Sequence, residues 1–162
     1  MKKIILIITI LAFISCNNEI PTQFSDKALN DTLITLNEKE ITFKDVLTQY
    51  KGKKIVIDIW ASWCGDCIKG MPKVVQLQKE YPEAVYLFLS LDKSITQWKN
   101  GIEKYHVKGE HYFLKSGYKG EFDAFIDIDW IPRYMVINED GGINLFKAVK
   151  ANDIKIKESL KK

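Results

Sequence analysis

Ile55-Val56-Ile57-Asp58-Ile59-Trp60-Ala61-Ser62-Trp63-Cys64-Gly65-Asp66-Cys67 is the stretch on which the reading of this chain turns. Its first six residues form a nearly continuous apolar run of strand length, as expected of a strand whose sheet is covered on both faces. Asp58 is the anomaly within it. After Cys67, residues Ile68, Met71, Val74, Val75 and Leu77 recur at helical spacing as far as Tyr81. The two cysteines therefore fall at a strand-to-helix junction, three residues apart on a first helical turn. At that spacing their sulfurs can face each other and close a small disulfide. Pro72 lies inside the helical pattern, where it removes one backbone hydrogen bond and is expected to kink the helix.

Cys64, the nearer to the helix start, sits where unpaired backbone N–H groups and the helix dipole favour negative charge. The thiolate is the attacking species in disulfide exchange, so Cys64 is the expected exposed nucleophile. Cys67, one turn deeper, would resolve the mixed disulfide. Resolution requires Cys67 to lose a proton among apolar neighbours that suppress its ionisation. A buried Asp58 with a raised pKa suits that task, directly or through water. Its alternative is a solvent-facing residue at an irregular point of the strand. Two other readings of the cysteine pair are open. A structural zinc site needs four ligands, yet there is no second cysteine pair, and the only histidines, His106 and His111, fall in an irregular segment. A static structural disulfide would close a loop too short to restrain the unfolded chain much.

Outward from this stretch, Thr32–Leu36 and Glu40–Phe43 are short β-branched runs around Asn37-Glu38-Lys39, which predicts a hairpin. A short helix is expected from Phe43 to Tyr50. Ala84–Leu91 reads as a second buried strand, and Ile95, Trp98, Ile102 and Tyr105 mark one face of an amphipathic helix. The segment His106–Trp130 is less regular, with a short helix expected over Glu121–Ile126. Arg133–Ile137 and Ile143–Phe146 read as strands joined across the turn-rich Asn138–Gly142. A basic last helix begins near Asn152, which can cap it. The order predicts an α/β fold: a mixed central sheet flanked by helices, with an N-terminal β-hairpin extension.

The 162 residues suit one domain, and 46% hydrophobic content supplies one sizeable core. Met1-Lys2-Lys3 and the apolar run Ile4–Ile14 match a secretory signal peptide, the run being too short for the about twenty residues a bilayer span needs. Without Lys2 and Lys3 the chain has 22 basic residues against 21 acidic ones. A near-neutral body with scattered charges gives no electrostatic case for nucleic acid as a partner. Residues 1–15 are thus read as a signal peptide, 16–30 as a tether rich in polar residues, and 31–162 as the folded domain. A plain secretory signal that leaves Cys16 as a chance thiol is the other reading of this end.

Three features carry a family resemblance. Asp58-x-Trp60-Ala61-x-Trp63-Cys64-Gly65-Asp66-Cys67, Met71-Pro72, and Trp130-Ile131-Pro132-Arg133-Tyr134 before a strand are similar to the thioredoxin superfamily. Within it the chain most resembles the membrane-tethered TlpA/ResA-type thiol-disulfide reductases of bacteria, over roughly residues 31–162. By resemblance Cys64 is the nucleophile, Cys67 the resolving cysteine, Asp58 the buried acid and Pro72 the helix proline. Ile131-Pro132 corresponds to the cis-proline loop, whose backbone pairs with the substrate chain. Trp60 and Trp63 themselves read as packing residues rather than catalysts, the other reading of Trp63 being that it borders the substrate groove. Phe13-Ile14-Ser15-Cys16 likewise resembles a bacterial lipobox, with Phe13 where leucine is usual; Cys16 then carries the lipid, leaving Cys64 and Cys67 as the remaining pair.

Two departures stand out. Gly70 occupies the place where these reductases commonly carry a glutamate, which puts a role in cytochrome c maturation in doubt. Of the tuning pair Gly65 and Asp66, Asp66 replaces the commoner proline. Its carboxylate opposes a neighbouring thiolate, which predicts a reducing pair, and Lys69 can cancel part of that effect. The resemblance implies an exported, lipid-anchored monomer that uses no bound cofactor beyond the Cys64–Cys67 disulfide and no metal. Its partners would be exported client proteins and a membrane electron donor. Competing readings are an oxidase or isomerase, a thiol peroxidase, and a non-catalytic peptide-binding lipoprotein.

Overall fold

In the computed structural model, which describes residues 19–161, the decisive strand is β3, Ile55–Trp60, buried at every residue. It lies inside a seven-stranded mixed sheet. On one side β3 pairs in parallel with β4, Val85–Ser90, and on the other antiparallel with β6, Arg133–Ile137. β7, Ile143–Ala148, closes that edge antiparallel to β6. The connections from β3 to β4 and onward are helical: α3, Gly65–Glu80, and α4, Ile95–Tyr105. Parallel neighbours need such crossovers.

The predicted hairpin is present as β1, Thr32–Thr35, and β2, Glu40–Thr42, followed by α2, Phe43–Gln49, capped by the Thr42 hydroxyl. It joins the sheet through a strand that the sequence pattern does not reveal. β5, Glu110–Leu114, pairs parallel to β4 and antiparallel to β1. A charged residue and a histidine open this short strand, so its hydrophobic pattern is weak. Gly109 precedes it at φ +144°, backed so closely against the Phe88 ring that no side chain fits there. A 3-10 turn, Gly117–Lys119, and α5, Glu121–Ile126, lead to β6. The last helix, α6, spans Ile154–Lys161, and the side chain that accepts a first-turn N–H is Asp153, not Asn152.

The tether does not extend to residue 30. Ser25 caps a one-turn helix α1, Asp26–Leu29, and Phe24 is buried edge-on against Phe43 and stacked on Phe122. An isolated phenylalanine among polar residues shows no periodicity, yet its ring is large enough to recruit the segment into the core. Still earlier, the Thr22 carbonyl accepts from the Ile143 amide at 2.8 Å. Because β6 runs antiparallel to β3, Ile143 and the turn before it lie at the end of the sheet opposite Cys64.

Alternation along β3 puts Val56, Asp58 and Trp60 on one face. Tyr86 donates from the same face to the Leu77 carbonyl of α3, and Trp60 lies against Gly101 of α4. The two crossover helices therefore cover the face that carries Asp58.

Candidate active site

The loop from β3 to α3 is held before the cysteines begin. The Ser62 amide donates to both Asp92 oxygens at 3.0 and 3.1 Å, and its hydroxyl to Oδ1 at 2.6 Å. Ser90 Oγ donates to the same carboxylate at 2.8 Å. Asp92 sits just past the end of β4, where the strand beside β3 finishes. Gly101 lets α4 close on this loop, since any Cβ there would overlap the Ser62 side chain.

Cys64 is the N-cap of α3, in extended backbone, and its Sγ accepts from the Cys67 amide at 3.0 Å. The two residues form a disulfide with Cα atoms 5.3 Å apart. Neither is freely exposed, but Cys64 retains 6% of its surface against 1% for Cys67. That small opening faces a groove of about 330 Å³ lined by Cys64, Asp66, Ile131 and the side chains of Trp63, Tyr118 and Trp130. Trp63 and Trp130 are more than half exposed. Such large aromatic surfaces are normally buried.

The far wall of the groove is the Ile131–Pro132 loop, whose peptide bond is cis. The Ile131 carbonyl oxygen lies 3.5 Å from Cys64 Sγ. Arg133, fully buried at the start of β6, holds the approach to this loop. Its guanidinium donates to the Ile126 carbonyl at 2.9 Å and pairs with the Asp129 carboxylate, which also receives Lys147 at 3.4 Å. Lys69 pairs with Asp66 at 3.5 Å, both exposed.

Asp58 is buried in the sheet face under α3. Burial pushes its carboxyl up to about 8, and the nearby Tyr134 hydroxyl counters part of that rise. Tyr134 is itself held up by burial and then by the Asp58 charge. Neither carboxylate oxygen has a hydrogen-bonding partner, and neither has the Tyr134 hydroxyl.

The chain thus brings together Cys64, Cys67, Gly65, Asp66, Trp63, Ile131 and Pro132 at one end of the sheet, with Asp58 in the layer beneath; Cys16 lies outside the described residues. Asp92, Arg133 with Asp129, Tyr118, Trp130 and Tyr134 went unassigned by sequence reasoning. A detectable signal existed for Arg133, which, like Asp58, is a charge in an otherwise apolar strand. Asp92 could have been suspected from its place at the carboxyl end of a parallel strand, where α/β sites gather. Among the described residues no cluster of His, Cys, Asp and Glu could hold a metal ion. His111 is stacked on Phe88 with Nε2 3.0 Å from the Val107 carbonyl oxygen, and His106 caps α4.

Comparison with known proteins places this geometry. The family model described as Redoxin matches residues 18–159. The thiol-disulfide oxidoreductase ResA of Bacillus thuringiensis subsp. konkukian is 28% identical over 144 residues, covering 86% of this chain and 78% of its own. The thioredoxin-like protein YneN of Bacillus subtilis is 27% identical over 129 residues, 77% of this chain and 71% of its own. In structure, a Bacteroides vulgatus protein assigned to the thiol-disulfide oxidoreductases superposes with a TM-score of 0.69 at 28% identity, covering 85% of this chain and 88% of that one. A thiol-disulfide oxidoreductase from Bacteroides fragilis shares the fold, with a TM-score of 0.67 at 20% identity over 82% of this chain and 98% of its own. Thioredoxin-like redox proteins work through their own cysteines, and disulfides are what such oxidoreductases act on. With a redox-competent cysteine pair at the head of α3 and a match across nearly its whole length, the chain belongs to the Redoxin family and is a thiol-disulfide oxidoreductase of the thioredoxin superfamily.

Proposed function

We propose that this protein reduces disulfides in exported proteins from a lipid anchor at Cys16. The observation that carries the reading is the Cys64 sulfur at the helix start, opening onto an aromatic groove, with an ionisable carboxyl buried beneath. In the reduced protein the Cys64 thiolate attacks a client disulfide. A Cys64–client mixed disulfide forms and the first client sulfur leaves as thiolate. Cys67 then gives its proton to Asp58 and attacks Cys64. The Cys64–Cys67 bond forms, the second client sulfur leaves, and the client has gained the two electrons that the cysteine pair lost.

Trp63 and Trp130 would flank the client segment, with the Ile131–Pro132 backbone beside it. Asp66 favours the reducing direction: a carboxylate on the first turn of α3 competes with a thiolate for the same N–H groups and raises the free energy of the reduced form. Exposure of the Asp66–Lys69 pair keeps Lys69 from cancelling this. Residues 1–15 would be the export signal and Cys16 the lipidated residue. Export to an oxidising compartment demands an electron donor in the membrane.

The test is the equilibrium reduction potential of residues 19–162 in a glutathione or dithiothreitol series. A value at or below about −230 mV supports the reductase. A value above about −180 mV assigns the protein instead to making or reshuffling disulfides.

A further inference from the structure

We propose that Tyr134 is a positioning residue through which Asp58 exchanges its proton with solvent, and that the bare Gly70 opens the way. This rests on the reading of Asp58 as the proton acceptor for Cys67.

Asp58 and Tyr134 are direct partners in the antiparallel register of β3 and β6, so both side chains rise from the same face. Both are buried, and the Asp58 oxygens and the Tyr134 hydroxyl are all without hydrogen-bonding partners. Native proteins rarely leave facing polar groups unsatisfied in a core without a use for them. The elements beside Asp58 offer poorer carriers. From β4 comes Phe88, which carries no proton, and behind it on β5 stands His111, bonded to Val107 and stacked on that ring. From α3 come Cys67, the donor itself, and the charged Asp66, Lys69 and Lys73, which are exposed.

Tyr134 reaches the other way. A Cβ placed on Gly70 would lie 3.4 Å from the Tyr134 hydroxyl, so the glycine keeps side-chain bulk off it. Above this point lies a groove of about 460 Å³ bordered by Gly70, Pro132, Tyr134, Asp66 and Lys73. The phenol oxygen thus stands between the strand that carries the buried carboxyl and that groove.

The step balances without any redox change at tyrosine. At pH 7 Asp58, with its carboxyl near 8, holds a proton that must leave before it can take the one on Cys67, and it holds one again after resolution. The phenol oxygen accepts that proton while its own O–H bond breaks and the original proton passes to water in the groove. Asp58 returns to carboxylate and Tyr134 to phenol. The burial that holds the Tyr134 phenol up keeps it protonated and ready to donate at neutral pH.

The experiment is stopped-flow resolution of a trapped peptide mixed disulfide on Cys64, between pH 6 and 9.5, with the full-length chain in detergent. Tyr134→Phe removes only the hydroxyl, and thermal melting checks that it folds. Loss of the hydroxyl takes from the Asp58 carboxyl both its outlet and the group that holds it down, so the midpoint of the rising pH profile should move up by about half a unit to one unit. At pH 7 the rate should fall about three- to tenfold and converge with the parent above about pH 9. In an Asp58→Asn background the same change should alter the rate less than about twofold. A Tyr134→Phe profile that superimposes on the parent, or one lowered equally at every pH, overturns the relay while leaving Asp58 in place. If Asp58→Asn alone leaves the profile unchanged, the reading of Asp58 has failed and the relay fails with it.

Discussion

Asp58 shows how a single buried group ties stability to chemistry. Folded, its carboxyl titrates near 8, whereas in an unfolded chain it titrates near about 3.9. Between those values the folded protein keeps a proton that the unfolded chain has released. Stability therefore falls as pH rises through this window, by at most about 1.4 kcal/mol per pH unit, and levels off above it. Asp58→Asn carries no such burden. In urea unfolding of the oxidised protein its advantage should open from about pH 4 and reach a few kcal/mol near pH 8.5. An advantage of the same size at pH 4 and pH 8.5 would refute this. Asp66 acts on the other member of the couple. Neutralising it as Asp66→Asn should raise the reduction potential by about 10–20 mV, a small step because the carboxylate is solvated. An unchanged or lower potential would show that the carboxylate does not oppose the Cys64 thiolate.

The elements matter through what they hold still. β6 begins with Arg133, and its buried guanidinium ties the Asp127–Asp129 turn to the sheet next to the cis bond. Asp129→Asn weakens that tie without touching the cysteines. The expected result is a several-fold higher KM for a disulfide peptide with little change in kcat or potential; a potential shift would argue against a purely positioning role. β4 acts similarly through Asp92, and Asp92→Ala should cost about 2–3 kcal/mol in urea unfolding, since it strands the Ser62 and Ser90 donors. These devices also mark the limit of what the sequence discloses. β3, α3 and the cysteine junction are legible because hydrophobic period and chemistry coincide within some twenty-five residues. The contact of Ser62 with Asp92, and of Cys64 with Ile131, joins residues separated by 30 and 67 positions. No local pattern encodes such meetings. β5 escapes for a related reason: its partner β1 lies far back in the chain, and only the finished sheet makes Glu110–Leu114 a strand.

For the molecule as a whole, the early segment is part of the fold. Phe24→Ala should destabilise by about 3 kcal/mol, because the ring packs on Phe43, Phe122 and Phe125 at once. A loss under about 0.5 kcal/mol would mean that the segment is only laid on the surface. Replacing Cys16 by serine should release the protein from membranes into the soluble fraction, read by fractionation, if the lipid reading holds; retention in the membrane would contradict it. If Cys16 carries a lipid, the Thr22–Ile143 bond leaves a leash of at most about six residues between anchor and fold, a span of no more than roughly 20 Å. Such a leash would join the body at Thr22, at the end of the sheet away from the disulfide. The cysteines would then look outward from the bilayer, at a standoff set by the length of β3 and the leash together. A protein so anchored would patrol a thin layer beside the membrane and meet its clients face-on, while an electron donor in the bilayer would have to reach around the body or wait for it to tip.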